Sequence, residues 1–109
     1  MSTRAIITVF DKQDSFNIYL HGNAIPEIVM PSIEKATEYA WKFPRFEAWD
    51  FATALIKVLK KRAWGVYLIN LKEKMTEADY YYQVSKESWD LKIKTTALNF
   101  NHLLHSRGL

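Results

Sequence analysis

Apolar and polar positions alternate with period two near both ends of the chain and recur every three to four residues in its middle. Thr3 to Phe10 is rich in β-branched residues and predicts a strand, and Asp11-Lys12-Gln13-Asp14-Ser15 supplies a polar turn. Phe16, Ile18 and Leu20 then alternate with Asn17, Tyr19 and His21, so the two segments predict a hairpin with one buried face. Gly22-Asn23 breaks the alternation. Pro26 and Pro31 each suit the first turn of a helix better than its interior. The pattern therefore predicts a short turn near Pro26 to Val29 and a helix from about Pro31 to Lys42. That helix would turn Ile33, Ala36, Tyr39, Ala40 and Phe43 inward, and Phe43-Pro44-Arg45 would end it.

A second helix is predicted from about Phe46 to Arg62, with Ala48, Phe51, Ala52, Leu55, Ile56 and Leu59 as its inner stripe. Glu47 and Asp50 open it and Lys57, Lys60, Lys61 and Arg62 close it, a polarity that complements the helix dipole. After Gly65 come a strand over Val66 to Leu71, a polar connection over Lys72 to Asp79, and a strand over Tyr80 to Ser85. A tight turn at Lys86-Glu87-Ser88 leads to a last strand over Trp89 to Ala97. Leu98 to Leu109 reads either as a short helix or as a mobile tail. The order ββααβββ predicts one α+β domain over residues 1–109, a largely antiparallel sheet with two helices packed on one face.

Composition narrows what such a domain does. At 109 residues with 49% hydrophobic content the chain can bury its own core, yet 15% aromatic content is more than that core can hide. Some rings must lie at the surface. The absence of cysteine excludes disulfides, thiolate nucleophiles and Cys-based metal sites. Three glycines cannot supply a phosphate loop or a dinucleotide fingerprint. A net charge of +3 permits contact with nucleic acid without demanding it. With no apolar span and no export signal at Met1-Ser2-Thr3-Arg4, the expectation is a soluble cytoplasmic protein without membrane contact.

Four features remain that could bind something. With the other alternating set against the helices, the open sheet face would carry Tyr19, His21, Tyr81, Lys92 and Lys94. Such rings and ammonium groups could hold single-stranded nucleic acid, or the tyrosines could simply pack across strands. The basic run from Lys57 to Arg62, followed by Trp64, reads as an anion site or as a solvated helix end. The stretch Phe43 to Phe51 reads as an interhelical wedge or as an aromatic anchor for a protein, with Arg45 and Trp49 its most prominent groups. Among the histidines, His102 and His105 have helical metal-ligand spacing but no nearby carboxylate, and His21 has no assignable catalytic partner. No catalytic triad or paired-acid spacing appears. These absences point to a non-enzymatic protein without cofactor or metal.

The segment from Val9 to His21, together with Pro44-Arg45-Phe46-Glu47-Ala48 and Asp50-Phe51-Ala52, resembles a family of small uncharacterised proteins of phages and bacterial mobile elements. The resemblance covers about residues 3–85. Pro26 and Glu27 fit the family's turn, whereas Gly22-Asn23 and Ala63-Trp64-Gly65 depart from its pattern. It implies no catalytic residues. It implies a small protein that binds and blocks a host complex, and with the surplus of aromatic and basic surface the leading expectation is an inhibitor of a CRISPR or other defence effector, with Tyr19, His21, Arg45, Trp49, Trp64, Tyr81, Lys92 and Lys94 as its interface residues. The composition leaves two other readings, a single-stranded nucleic-acid binder and a sponge for a nucleotide signal.

Overall fold

The computed structural model describes residues 3–70 and 77–98. Its elements are β1 (Ala5–Phe10), β2 (Ser15–Gly22), α1 (Pro26–Ala36), α2 (Ala48–Leu59), β3 (Trp64–Leu68), β4 (Tyr80–Glu87) and β5 (Asp90–Ala97). The five strands form one sheet in the order β3-β2-β1-β4-β5. The α+β class and the order ββααβββ are therefore as expected. Pairing is antiparallel for β1–β2, β2–β3 and β4–β5 and parallel for β1–β4, so the sheet is mixed. The parallel pair arises because the chain leaves β3 at one edge and re-enters on the far side of β1. Such a return needs a crossover rather than a hairpin.

Strand β1 sits at the centre, and its residues Ala5 to Val9 are buried on both faces. The run Ala5-Ile6-Ile7-Thr8-Val9 does not alternate, as suits a strand covered on both sides. The expectation of one wet face fails here. On the helix side, Ile7, Val9, Ile18 and Leu20 meet Val29 and Ile33 of α1 and Phe51, Leu55 and Leu59 of α2. Burying each of these large side chains contributes about 1.5–3 kcal/mol. Tyr82 lies within this core, its hydroxyl 3.4 Å from the Ala24 carbonyl, and burial pushes its ionisation well above the ordinary range.

Helix α1 differs from the predicted one. It begins with Pro26 in its first turn and contains Pro31. Pro31 and Glu27 are both exposed, so water can take the carbonyl that Pro31 leaves without a helical donor. The helix ends at Ala36, where the Thr37 hydroxyl donates to the Glu34 carbonyl at 2.7 Å, so Tyr39 to Phe43 lie outside it. Helix α2 starts two residues later than expected, and its N-cap Glu47 makes no side-chain cap bond. The cap comes from across the molecule instead. Asp11 Oδ2 accepts the Ala48 N–H at 2.7 Å, while its Oδ1 accepts the N–H groups of Gln13 and Asp14, each at 2.7 Å. One carboxylate thus closes the β1–β2 turn and starts α2, and the Ala48 N–H above all holds its pKa below the ordinary value.

The opposite face of the sheet carries a second, smaller core. Ile6, Tyr19 and Ala78 are buried there, with Ile69, Tyr81 and Leu98 packed against them. Backbone bonds tie the covering segments down: Ile69 N–H to Asn17 O at 3.0 Å, Asp79 N–H to Arg4 O at 2.8 Å and Leu98 N–H to Asp79 O at 2.8 Å. Beneath them the Tyr81 hydroxyl donates to Thr8 Oγ1 at 3.0 Å, and Thr8 Oγ1 donates to Asn17 Oδ1 at 2.7 Å. In β5, Leu91 and Ile93 pack on the main core as predicted. Trp89 instead occupies the β4–β5 turn and is exposed, because the turn falls at Ser88-Trp89 rather than earlier. The tail beyond Leu98, with His102 and His105, lies outside the described residues. No helix of the described residues is long and apolar enough to cross a membrane.

Candidate interaction site

The connection between the two helices and the first turn of α2 gather exposed Tyr39, Trp41 and Trp49. It leaves α1 at Ala36, turns through a cis Phe43–Pro44 peptide and enters α2 at Ala48. The Trp41 N–H donates to Asp50 Oδ2 at 2.8 Å, which fixes Trp41 beside the first turn of α2. Its ring meets Trp49 edge to face, with centroids 5.9 Å apart and planes at 81°. The Arg45 guanidinium lies 3.3 Å above the Trp41 ring centroid and pairs with Glu47 at 3.2 Å. The cation–π contact and the ion pair, in which Nε and Nη2 both reach Glu47 Oε2, together hold Arg45 against the ring.

Inside this outer layer, Phe43 and Phe46 lie parallel, 6.3 Å apart, and Phe46 reaches Phe51 at 5.4 Å. Phe51 belongs to the core, so the corner is anchored through a chain of rings. Lys86 on β4 donates to the Pro44 carbonyl at 2.6 Å, tying the β4–β5 hairpin to the same corner. Between these parts lies a cleft of about 580 Å³, lined by Phe10 and Phe46, by Lys12 and Gln13 of the β1–β2 turn, and by Glu47 and Lys86, among others. That volume suits a protruding side chain or a small ligand. Corner and cleft share Phe46 and Glu47 and form one continuous surface.

Of the predicted site residues, Arg45 and Trp49 meet here, bridged by Trp41. Trp64 and His21 lie at the opposite end of α2, where Trp64 pairs across the sheet with Gly22. Gly65 follows with φ +61°, and a Cβ there would come within 2.9 Å of His21 Cβ, so glycine is required at this close approach. Lys92 and Lys94 lie on β5, at the far edge of the sheet from Trp64. Tyr19 departs most from expectation: it is only 3% exposed, and its hydroxyl sits 3.1 Å from His21 Nδ1. Tyr81 is half-buried with its hydroxyl on Thr8. The expected stacking platform is thus closed over at Tyr19, because Ala78, Ile69 and Leu98 cover that part of the face.

Trp41, Phe10 and Lys86 are not among the residues that the sequence pattern marks. Trp41 is hidden by the over-long first helix, which the Phe43-Pro44 pair ends only after it. Phe10 and Lys86 reach the cleft from separate hairpins, which no local pattern announces. Among the described residues, no group of three or more His, Asp and Glu side chains gathers as for a metal ion. No protein-family model, curated protein or solved structure matches the chain.

Proposed function

We propose that this chain is a non-enzymatic binding protein that grips a protein partner through the corner between its helices, in the manner of a small inhibitor of a host complex. The observation that carries this reading is the placement of tryptophan. All four lie at the surface, Trp64 at 71% exposure, Trp89 at 69%, Trp49 at 54% and Trp41 at 37%. Tryptophan and arginine dominate the energetics of protein interfaces, and exposed rings of this size otherwise cost solubility. Trp41, Trp49 and Arg45 are also held in one arrangement before any partner arrives, which lowers the ordering cost of association. The adjoining cleft offers a socket for one apolar side chain of the partner.

The test is affinity capture from a bacterial host lysate with quantitative mass spectrometry, run in parallel on the wild type and a Trp41→Ala/Trp49→Ala variant. A specific partner should be retained by the wild type and held about 30-fold or more weakly by the variant, as for the loss of hot-spot residues. Equal retention by both would remove the corner from the interface. Recovery of no stable partner would remove the reading itself.

A further inference from the structure

We propose that the groove between α1 and the last turn of α2 binds a small phosphate-bearing anion, a pyrophosphate group either free or carried by a nucleotide. The groove, of about 160 Å³, is lined by Lys35, Tyr39, Lys57, Val58, Lys61 and Arg62. Four of these six side chains are cationic, in a chain whose whole net charge is only +3. Among the described residues only Lys35 of the four has a carboxylate partner, Glu38 at 3.0 Å. Lys57, Lys61 and Arg62 therefore crowd one groove with no ion pair among the described residues to offset their repulsion.

A helix end attracts cations, but this one holds more than its dipole accounts for. The C-terminus of α2 carries the equivalent of roughly half a negative charge, so three clustered cations leave an excess of about two or more positive charges. Two of the cations are also placed by contacts that a merely solvated lysine lacks. The Arg62 guanidinium lies 3.5 Å from the hydroxyl of fully buried Ser32, and its carbonyl accepts from Asn23 Nδ2 at 2.9 Å. Lys57 Nζ lies 4.3 Å above the Tyr39 ring, which keeps the ammonium over the groove. A planar guanidinium in one groove with ammonium groups complements phosphate oxygens.

Size selects within the anions. Pockets for drug-sized ligands begin at roughly 300 Å³, so this groove takes a phosphate or pyrophosphate group and leaves any attached nucleoside outside. The inference does not depend on the protein-binding corner, which lies at the other end of α2.

The test is a thermal-melt titration at low ionic strength with inorganic pyrophosphate, with sodium chloride of matched ionic strength as the blank. Pyrophosphate should raise Tm saturably beyond the blank, and a nucleoside diphosphate should do so with similar affinity, because its nucleoside makes no added contact. Lys57→Ala and Lys61→Ala should each weaken binding about tenfold, as expected for loss of a charge-assisted contact. Arg62→Ala should weaken it further, and exposed Lys61→Ala stays decisive should loss of the Ser32 contact unfold the Arg62 variant. A Lys92→Ala/Lys94→Ala variant should bind as the wild type does. No rise beyond chloride would overturn the proposal. Equal loss in the β5 variant would do the same, as would a response to single-stranded oligonucleotides alone.

Discussion

The two faces of the sheet are closed by different means. On one side, two helices lay an aliphatic stripe over β1 and β2, and the core is thick and continuous. On the other, residues flanking the β3–β4 crossover and the end of β5 cover Ile6 and Tyr19 with Ala78, Ile69 and Leu98. That second cover is thin and rests on polar ties, Tyr81 to Thr8 to Asn17 and a backbone bond from Asp79 to Arg4. The contrast shows that alternation in a strand says which side chains share a face without saying whether that face is wet. Tyr19 and Lys94 both lie on the face away from the helices; one is buried and the other exposed.

Paired core truncations test the two faces most directly. Leu55→Ala on the helix side should cost about 2–5 kcal/mol in urea unfolding, the usual range for a fully buried leucine. Ile6→Ala should cost at least about 2 kcal/mol, because Ile6 is equally buried on the other side. A cost below about 0.5 kcal/mol for Ile6→Ala would mean that the second face behaves as an open surface.

Next in size is Asp11→Asn, which leaves one acceptor oxygen for the N–H groups of Ala48, Gln13 and Asp14, removes the charge, and should cost about 1 kcal/mol. Its effect should depend on pH. The folded pKa of Asp11 is lowered, so between that value and the unfolded value of 3.8 the unfolded chain binds more protons. The stabilisation is therefore fully present above the unfolded value and is lost as pH falls through the folded one. The wild-type urea midpoint should drop more steeply below about pH 4 than that of Asp11→Asn. Parallel acid slopes would show that the carboxylate does not hold the helix side in place.

A smaller effect is expected from Tyr81→Phe, which cuts the polar chain under the thin cover and should cost about 1 kcal/mol. Amide hydrogen exchange would sharpen this result, because protection should fall at Ile69 and Leu98 before it falls in the helices. The smallest change belongs to Lys92→Ala/Lys94→Ala. Both side chains are exposed on an edge strand, and stability should stay within about 0.5 kcal/mol of the wild type. Charged residues on an edge discourage pairing with other chains, so the visible consequence should be aggregation rather than unfolding.

Much of this was legible where the signal was local. The alternation in Phe16 to His21 and in Trp89 to Ala97 marked strands, and of the predicted stripe of α2 Ala48, Phe51, Ala52, Leu55 and Leu59 are buried and Ile56 half-buried. Arg45 and Trp49 were legible as a corner because they are four residues apart. The first helix was misplaced because Pro31 reads as a helix start, and only the exposure of Pro31 and Glu27 shows why it is tolerated inside. The cap on α2 was illegible, since Asp11 and Ala48 are 37 residues apart. The basic groove was half legible. Lys57, Lys61 and Arg62 stand together in sequence, whereas Lys35 and Tyr39 join them only when α1 packs on α2.

Local sequence pattern specifies the element types, the two helices between two strands and three, and the surplus of rings that had to reach the surface. Those properties follow from period, punctuation and composition, which act over a few residues. Tertiary structure decided the rest: the parallel pairing of β1 with β4, the burial of Tyr19, the Asp11 cap and the meeting of Trp41, Arg45 and Trp49. Each depends on where distant segments of the chain come to lie. No short-range propensity carries that information, because the energy that selects it comes from contacts formed only when the whole domain closes.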